Sequence, residues 1–206
     1  MATQSLFATR LYRAELAQER GFQPLMEDLA DACAMMAQED EAGRAWSKAN
    51  RYPGYTSYSS PGTLWTRASA FGDLKTRLDR HAKAFAGEIG LDLGGGRLRL
   101  DSLWVNVLKP GGGHTSHIHP HSVISGTVYV AAPPGTSGLK LEDPRLAMMM
   151  AAPTRLPDAP ADQQAFVYVT PDEGTILMWE SWLRHEVPAN PLKAERVSIS
   201  FNYGWR

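Results

Sequence analysis

Four of the six histidines, His114, His117, His119 and His121, fall within the eight residues 114–121, and a fifth, His185, stands far downstream. A neutral imidazole nitrogen is the commonest metal ligand among side chains, so this density points to metal chemistry. In extended backbone, residues two apart face the same way. His117 with His119 can therefore present both rings to one point, and so can His119 with His121. Pro120 cannot donate a ladder hydrogen bond, so regular pairing should stop beside it, which favours the first pair. His114 and His121 are then left beside the metal or in solvent. His185 follows a compact apolar strand at 175–179 and the turn 180–183, and is the natural third ligand; Glu186 would face the other way.

Arg196 opens the run RVSISFN, in which Arg196, Ser198, Ser200 and Asn202 alternate with Val197, Ile199 and Phe201. A row of inward polar groups is costly unless something polar fills the space between them. A guanidinium fork pairs with a carboxylate through two parallel hydrogen bonds, and a nearby hydroxyl such as Ser198 can add a third. The competing assignment is a surface ion pair on a sheet with one wet face.

These residues need a scaffold of strands. Leu98–Leu108, 122–131, 139–141, 165–169, 175–179 and 196–203 are short, β-branched or aromatic, and separated by Gly/Pro loops. With the segments carrying His117 and His185 they make about eight strands, a sandwich or jelly-roll number. Upstream, Leu25, Met26, Leu29, Cys33 and Met36 recur at helical spacing after Pro24, and Phe71, Leu74, Leu78, Ala82, Phe85 and Ile89 do so over roughly 70–90. His81 lies beside that second stripe as a surface or boundary residue. The segment 6–16 reads as an edge strand. The stretch 44–62, broken by Pro53, Gly54, Pro61 and Gly62, reads as a surface loop, and 147–164 as a long inserted loop, a candidate lid. Helices followed by strands indicate an α+β chain with helices packed on one sheet. The whole reads as a single domain, with 1–96 as helical support and 97–206 as the β core.

The bulk numbers exclude several classes. A net charge of −1 with interspersed signs offers no basic surface for nucleic acid. One cysteine precludes an intramolecular disulfide and fits a reducing compartment. No apolar run reaches the ~18 residues of a membrane span, and the first 20 residues lack the apolar core of a secretory signal. The expectation is a cytoplasmic protein that binds neither nucleic acid nor membrane; exposed strand edges leave a homodimer open. The Gly-rich runs 94–96 and 111–113 lack the Lys-Ser/Thr of a phosphate loop.

The order His-x-His, distal His, then Arg-x-Ser on the last strand resembles the 2-oxoglutarate/Fe(II)-dependent oxygenase superfamily, and within it an uncharacterised branch of oxygenases. The stretches that carry the resemblance are GYTSYSS, WVN, HIHPHSVISGTVYV, LEDPR, SWLRHEVPAN and ERVSISFN, spanning 54–202. It implies a double-stranded β-helix (jelly roll, cupin-like) with iron at one end of the barrel, held by His117, His119 and His185. It further implies 2-oxoglutarate as cosubstrate, its distal carboxylate on Arg196 and Ser198, with Asn106 on the preceding strand as a further contact. The implied activity is hydroxylation of a small molecule or peptide, with release of succinate and CO2.

One departure bears on the metal. The superfamily usually carries His-x-Asp where this chain has His117-Ile118-His119, and two histidines with a carboxylate are the common non-haem iron set. Three neutral ligands leave more charge on the ion and are also a zinc arrangement. Asp101 and Asp143 lack the motif spacing to substitute. The rivals are a cupin-type metal-binding protein and a zinc-dependent enzyme without 2-oxoglutarate. The cupin reading wants a glutamate shortly after the second histidine, and 120–126 contains no acid.

Overall fold

The longest strands form where β-branched and aromatic residues alternate with small polar ones, because both faces of such a strand can be buried against different partners. The structure, a computed structural model, describes residues 3–61 and 63–206. In chain order it contains β1 (Leu11–Glu15), α1 (Phe22–Glu39), α2 (Glu41–Ala49), β2 (Gly54–Thr56), α3 (Ser69–Glu88), β3 (Leu98–Leu108), β4 (His114–His117), β5 (Ile124–Ala131), β6 (Leu139–Glu142), β7 (Phe166–Val169), β8 (Thr175–Glu180), β9 (His185–Val187) and β10 (Arg196–Trp205). A six-stranded sheet runs β1-β8-β5-β10-β3-β2 and a four-stranded sheet β4-β9-β6-β7, every strand pairing antiparallel. This is the expected α+β architecture, a double-stranded β-helix with helices on one sheet.

Side-chain parity divides the large sheet's two faces. Val105, Val107, Val128, Val130, Ile176, Met178, Ile199 and Phe201 pack in one cluster with Leu25, Leu29, Phe71, Leu74, Leu78 and Phe85 of α1 and α3. The opposite parity, Tyr129, Leu177 and Trp179, packs with Leu139 and Leu141 of the small sheet. Helices therefore cover one face and the small sheet covers the other, leaving the interior between the sheets. Tyr12 of β1 donates to Nδ1 of His81 (2.8 Å), whose Nε2 donates to Glu19 (2.7 Å), so His81 ties the edge strand to α3.

Two expectations need correction. Part of 44–62 is not loop: α2 occupies its beginning and β2 pairs with β3; Gly62 lies outside the described residues. EAGRAWSKA carries no apolar stripe to announce a helix. The helix forms because Gly43 lets it close on the neighbouring chain, where a Cβ would meet Asp40 and come 2.8 Å from the carbonyl oxygen of Thr56. Asp40, the residue just before α2, accepts hydrogen bonds from Tyr55 (2.8 Å) and Ser60 (2.5 Å). The long loop between β6 and β7 does exist and leaves the sheet at the end where Leu141 pairs with His185. None of its residues lines the cavities described below, and Gln164 folds it back on itself by donating to the carbonyls of Leu156 and Ala159 (3.0 and 2.8 Å).

Cys33 is buried on α1, and desolvation pushes its thiol up to about 12. Only the thiolate is nucleophilic. The native protein at pH 8 should therefore resist alkylation by iodoacetamide over an hour, while denaturant should give complete labelling, as read by intact mass.

Candidate metal centre

The short strands β4 and β9 place His117 directly opposite His185 in register. His119 arrives differently from the shared strand face expected of it. β4 ends at His117, and the chain then turns, with the His119 N–H donating to Ser181 (3.0 Å) and Ser122 returning to the His119 carbonyl (3.4 Å). Pairing thus stops before Pro120. The turn, docked on the β8–β9 connection, brings the second ring to the site.

The three side chains, His117, His119 and His185, each offer one nitrogen, and these lie within 4.8 Å of one another. Nε2 of His119 is 3.2 Å from Nε2 of His185, and their rings are stacked at 4° with centroids 5.1 Å apart. Nδ1–H of His117 donates to Thr115 (2.7 Å) and Nδ1–H of His185 to Leu183 (2.8 Å). A proton held on Nδ1 leaves Nε2 as a lone pair, which is how protein carbonyls orient ligating imidazoles. Burial, with the neighbouring His117 imidazole adding to it, lowers His119 to about 4. For His185 burial dominates over the opposing Leu183 hydrogen bond and brings it to about 3. Both are therefore neutral near pH 7, the form that binds metal. This donor set fits a divalent ion: three convergent nitrogens, two of them on rings that burial keeps neutral.

Among the described residues no carboxylate joins the group. Asp101 is engaged by Arg206 (2.9 Å) and Asp143 by Arg145 (2.9 and 2.8 Å), so neither replaces the missing acid. Glu186 pairs with Lys140 (2.8 Å) away from the cluster. His121 is exposed in a left-handed turn, φ 73°. His114 lies next to the triad but outside it, its Nε2 accepting from the Tyr52 hydroxyl at 2.6 Å.

Behind the imidazoles the inner face of the large sheet is polar. Register aligns Asn106, Ser198 and Tyr129 across β3, β10 and β5. Arg196 is 2% exposed, yet no carboxylate within the described residues pairs with it. Its Nη1 reaches Ser198 Oγ at 3.4 Å, its guanidinium lies 4.9 Å over the Tyr129 ring, and its Nε has no partner. Tyr129 Oη and Trp179 Nε1 are likewise buried without partners. A buried cation without a counter-charge costs several kcal/mol, and three orphaned groups this close together mark a place built for an anion with hydrogen-bond acceptors. Asn106 is largely committed within the protein: its Oδ1 accepts from Thr56 (2.9 Å) and its amide donates to Ser200 (3.1 Å).

A narrow cavity of about 50 Å³ is lined by the three histidines, Trp179, Arg196 and Ser198. It shares Trp104, Asn106, His114, His117 and His119 with a wider one of about 440 Å³ that forms the mouth. A larger hollow of about 760 Å³ beside α2 and β2 includes none of the triad or Arg196. The arrangement can hold a metal at the junction of the two cavities, an anion in the narrow one, and a further molecule in the wide one.

Residues that sequence reasoning passed over as site groups are Tyr52, Trp46 and Tyr129, whereas Trp179 is the core or pocket-wall residue expected of it. The parity of Ser125, Thr127 and Tyr129 in ISGTVYVA was a usable signal for Tyr129, since it repeats the polar alternation of β10. Nothing local marks Tyr52.

Residues 102–202 match the family described as "Putative 2OG-Fe(II) oxygenase". No curated protein matches this chain. Among solved structures it is similar to a Pseudomonas putida prolyl-4-hydroxylase, with TM-score 0.62 and 17% identity over 97% of this chain and 94% of the other. It is similar also to the epimerase SnoN from nogalamycin biosynthesis, solved with Fe3+, alpha ketoglutarate and nogalamycin RO (TM-score 0.63, 16% identity, covering 96% and 79%). HygX from Streptomyces hygroscopicus, with nickel and 2-oxoglutarate bound, is a third (TM-score 0.56, 15% identity, covering 96% and 82%). At these identities the structural likeness is one of fold.

Proposed function

Since this chain belongs to the 2-oxoglutarate/Fe(II)-dependent oxygenase superfamily, we propose that His117, His119 and His185 hold the iron and that Arg196 with Ser198 receives the distal carboxylate of 2-oxoglutarate. Iron and cosubstrate together supply oxidation of a substrate C–H bond, coupled to conversion of 2-oxoglutarate into succinate and CO2. The substrate's identity lies outside this assignment.

The chain's own part is positioning. The carbonyls of Thr115 and Leu183 keep the Nε2 lone pairs of His117 and His185 aimed at the ion. Trp179 Nε1, buried without a partner in the wall of the narrow cavity, is free to donate to an anion there. Asn106 holds Ser200 and Thr56, and so keeps the polar wall beside Ser198 in register. The apolar packing of Leu139, Leu141, Leu177 and Leu183 around this end limits water. Such exclusion strengthens every charged contact inside. A single cysteine, buried and unpaired, suits work in the reducing cytoplasm.

The observation that carries the reading is a buried guanidinium without a counter-charge in the same cavity as three convergent imidazoles. The third imidazole in place of a carboxylate is what favours a zinc enzyme or a cupin-type metal protein instead, but neither gives Arg196 anything to bind. The test is anaerobic reconstitution with Fe(II) and 2-oxoglutarate, followed by oxygen. Succinate should appear in proportion to 2-oxoglutarate consumed, even without a primary substrate. No succinate, together with tight zinc and no 2-oxoglutarate affinity, would favour the rivals.

A further inference from the structure

The wide cavity is ringed by aromatic side chains that touch one another in a closed circuit. Tyr52 meets Trp46 (centroids 6.3 Å), Trp46 meets Tyr58 (6.1 Å), and Tyr58 meets Trp104 (5.6 Å). The imidazoles complete it, Trp104 to His119 (5.9 Å), His119 to His117 (5.1 Å), His117 to His114 (6.4 Å), and His114 back to Tyr52 (5.3 Å). The four carbocyclic members come from separate places, α2, the turn after it, the segment following β2, and β3. Their convergence is a property of the fold and not of one sequence motif. Among the described residues lining this cavity, no Asp, Glu, Lys or Arg occurs; the other polar groups are the neutral side chains of Thr56, Asn106, Thr115 and Asn202.

We propose that this collar selects the primary substrate, and that the substrate is an uncharged small molecule carrying a flat ring system, presented edge-on to the metal. The proposal rests on the assignment of the metal and cosubstrate made above. Ring faces and edges favour another ring in offset or edge-to-face contact beyond simple burial. A charged molecule entering the cavity surrenders hydration and meets no opposite charge in the wall. With Arg196 assigned to the distal carboxylate of the cosubstrate, the side chains of the wide cavity's wall carry no acidic or basic partner of their own for a charged substrate. A cavity of about 440 Å³ lies in the range of small-molecule sites. Tyr58 is 61% exposed, which leaves it free to fold over a bound ring.

The experiment uses the full chain loaded with Fe(II) and 2-oxoglutarate under nitrogen, so that no turnover occurs. Loading is read first, from the visible absorption that iron acquires when 2-oxoglutarate binds. Isothermal titration then compares 2-naphthol with 2-naphthoate, 2-naphthylmethylammonium and decahydro-2-naphthol, which alter charge or flatness on the same fused two-ring frame. The expected result is at least about tenfold tighter binding of 2-naphthol than of any of the three. Tyr58→Ala, at a largely exposed position that lines the wide cavity alone, should weaken 2-naphthol by roughly fivefold and leave 2-oxoglutarate affinity unchanged. Equal or better binding of the ammonium, the carboxylate or the saturated alcohol overturns the proposal, as does an effect of Tyr58→Ala below twofold. Absence of the absorption overturns the metal and cosubstrate assignment instead, and the ring selectivity measured on the same protein still decides the collar.

Discussion

Replacing Arg196 by methionine is expected to leave the metal-free protein as stable as the parent or more so, while 2-oxoglutarate affinity falls by about a hundredfold or more. The two effects have one cause. The guanidinium is buried with its Nε unpartnered and no carboxylate beside it, so the ligand-free protein carries a desolvated charge for no return. Exchanging such a charge for an apolar side chain of similar volume is commonly neutral or stabilising by about 1–4 kcal/mol. In the complex the sign reverses. Charge-assisted bonds from a guanidinium to a carboxylate are roughly twice as strong as neutral ones, and losing about 3 kcal/mol is a little over a hundredfold in Kd. Thermal unfolding under nitrogen, with Mn(II) in place of iron, reads both terms. Ligand at a hundred times its Kd should stabilise the parent by about 2.7 kcal/mol and the variant hardly at all. A variant that is strongly destabilised while binding 2-oxoglutarate normally would make Arg196 a structural residue and empty the proposed carboxylate site.

Removing His185 should cost metal affinity by at least about a hundredfold, since disturbing only the groups that orient a ligand already costs 10–100-fold. His185→Ala should emerge from Fe(II) loading with almost no bound metal, measured by atomic emission, and with succinate production at background. The controls sharpen the test. His121→Ala, at an exposed turn, should load as the parent does, and His114→Ala should retain most of its metal, because His114 lies outside the three-residue group and serves Tyr52. Equal metal loss in His114→Ala and His185→Ala would mean that the coordinating set is not the one assigned.

Most of the β core was legible because its strands alternate in a way that only burial on two faces explains. Leu98–Leu108 was bounded correctly, and the inward row begun by Arg196 lies where the period of two puts it. His185 was legible from the compact strand and turn that precede it, but its place opposite His117 in cross-strand register is a relation between residues 68 apart that no local pattern encodes. Two errors share a physical origin. His119 reaches the site through a turn held by Ser181, and α2 is held by contacts to β2 around Gly43. In both cases tertiary contacts, and not periodicity, decide the conformation. Trp46 and Tyr52 escaped notice for the same reason, since their relevance to the mouth depends entirely on how α2 docks.

The three imidazoles all belong to the small sheet or to the turn that leaves it, whereas Arg196 stands on the large one. On the proposed assignment, a dicarboxylic acid gripped at one end by the ion and at the other by that guanidinium would be a strut between the two walls of the sandwich. Each catalytic cycle would then shorten the strut by one carbon and discard it, bracing and unbracing the walls once per turnover. Resistance to proteolysis should rise and fall with cosubstrate occupancy even where no loop changes place.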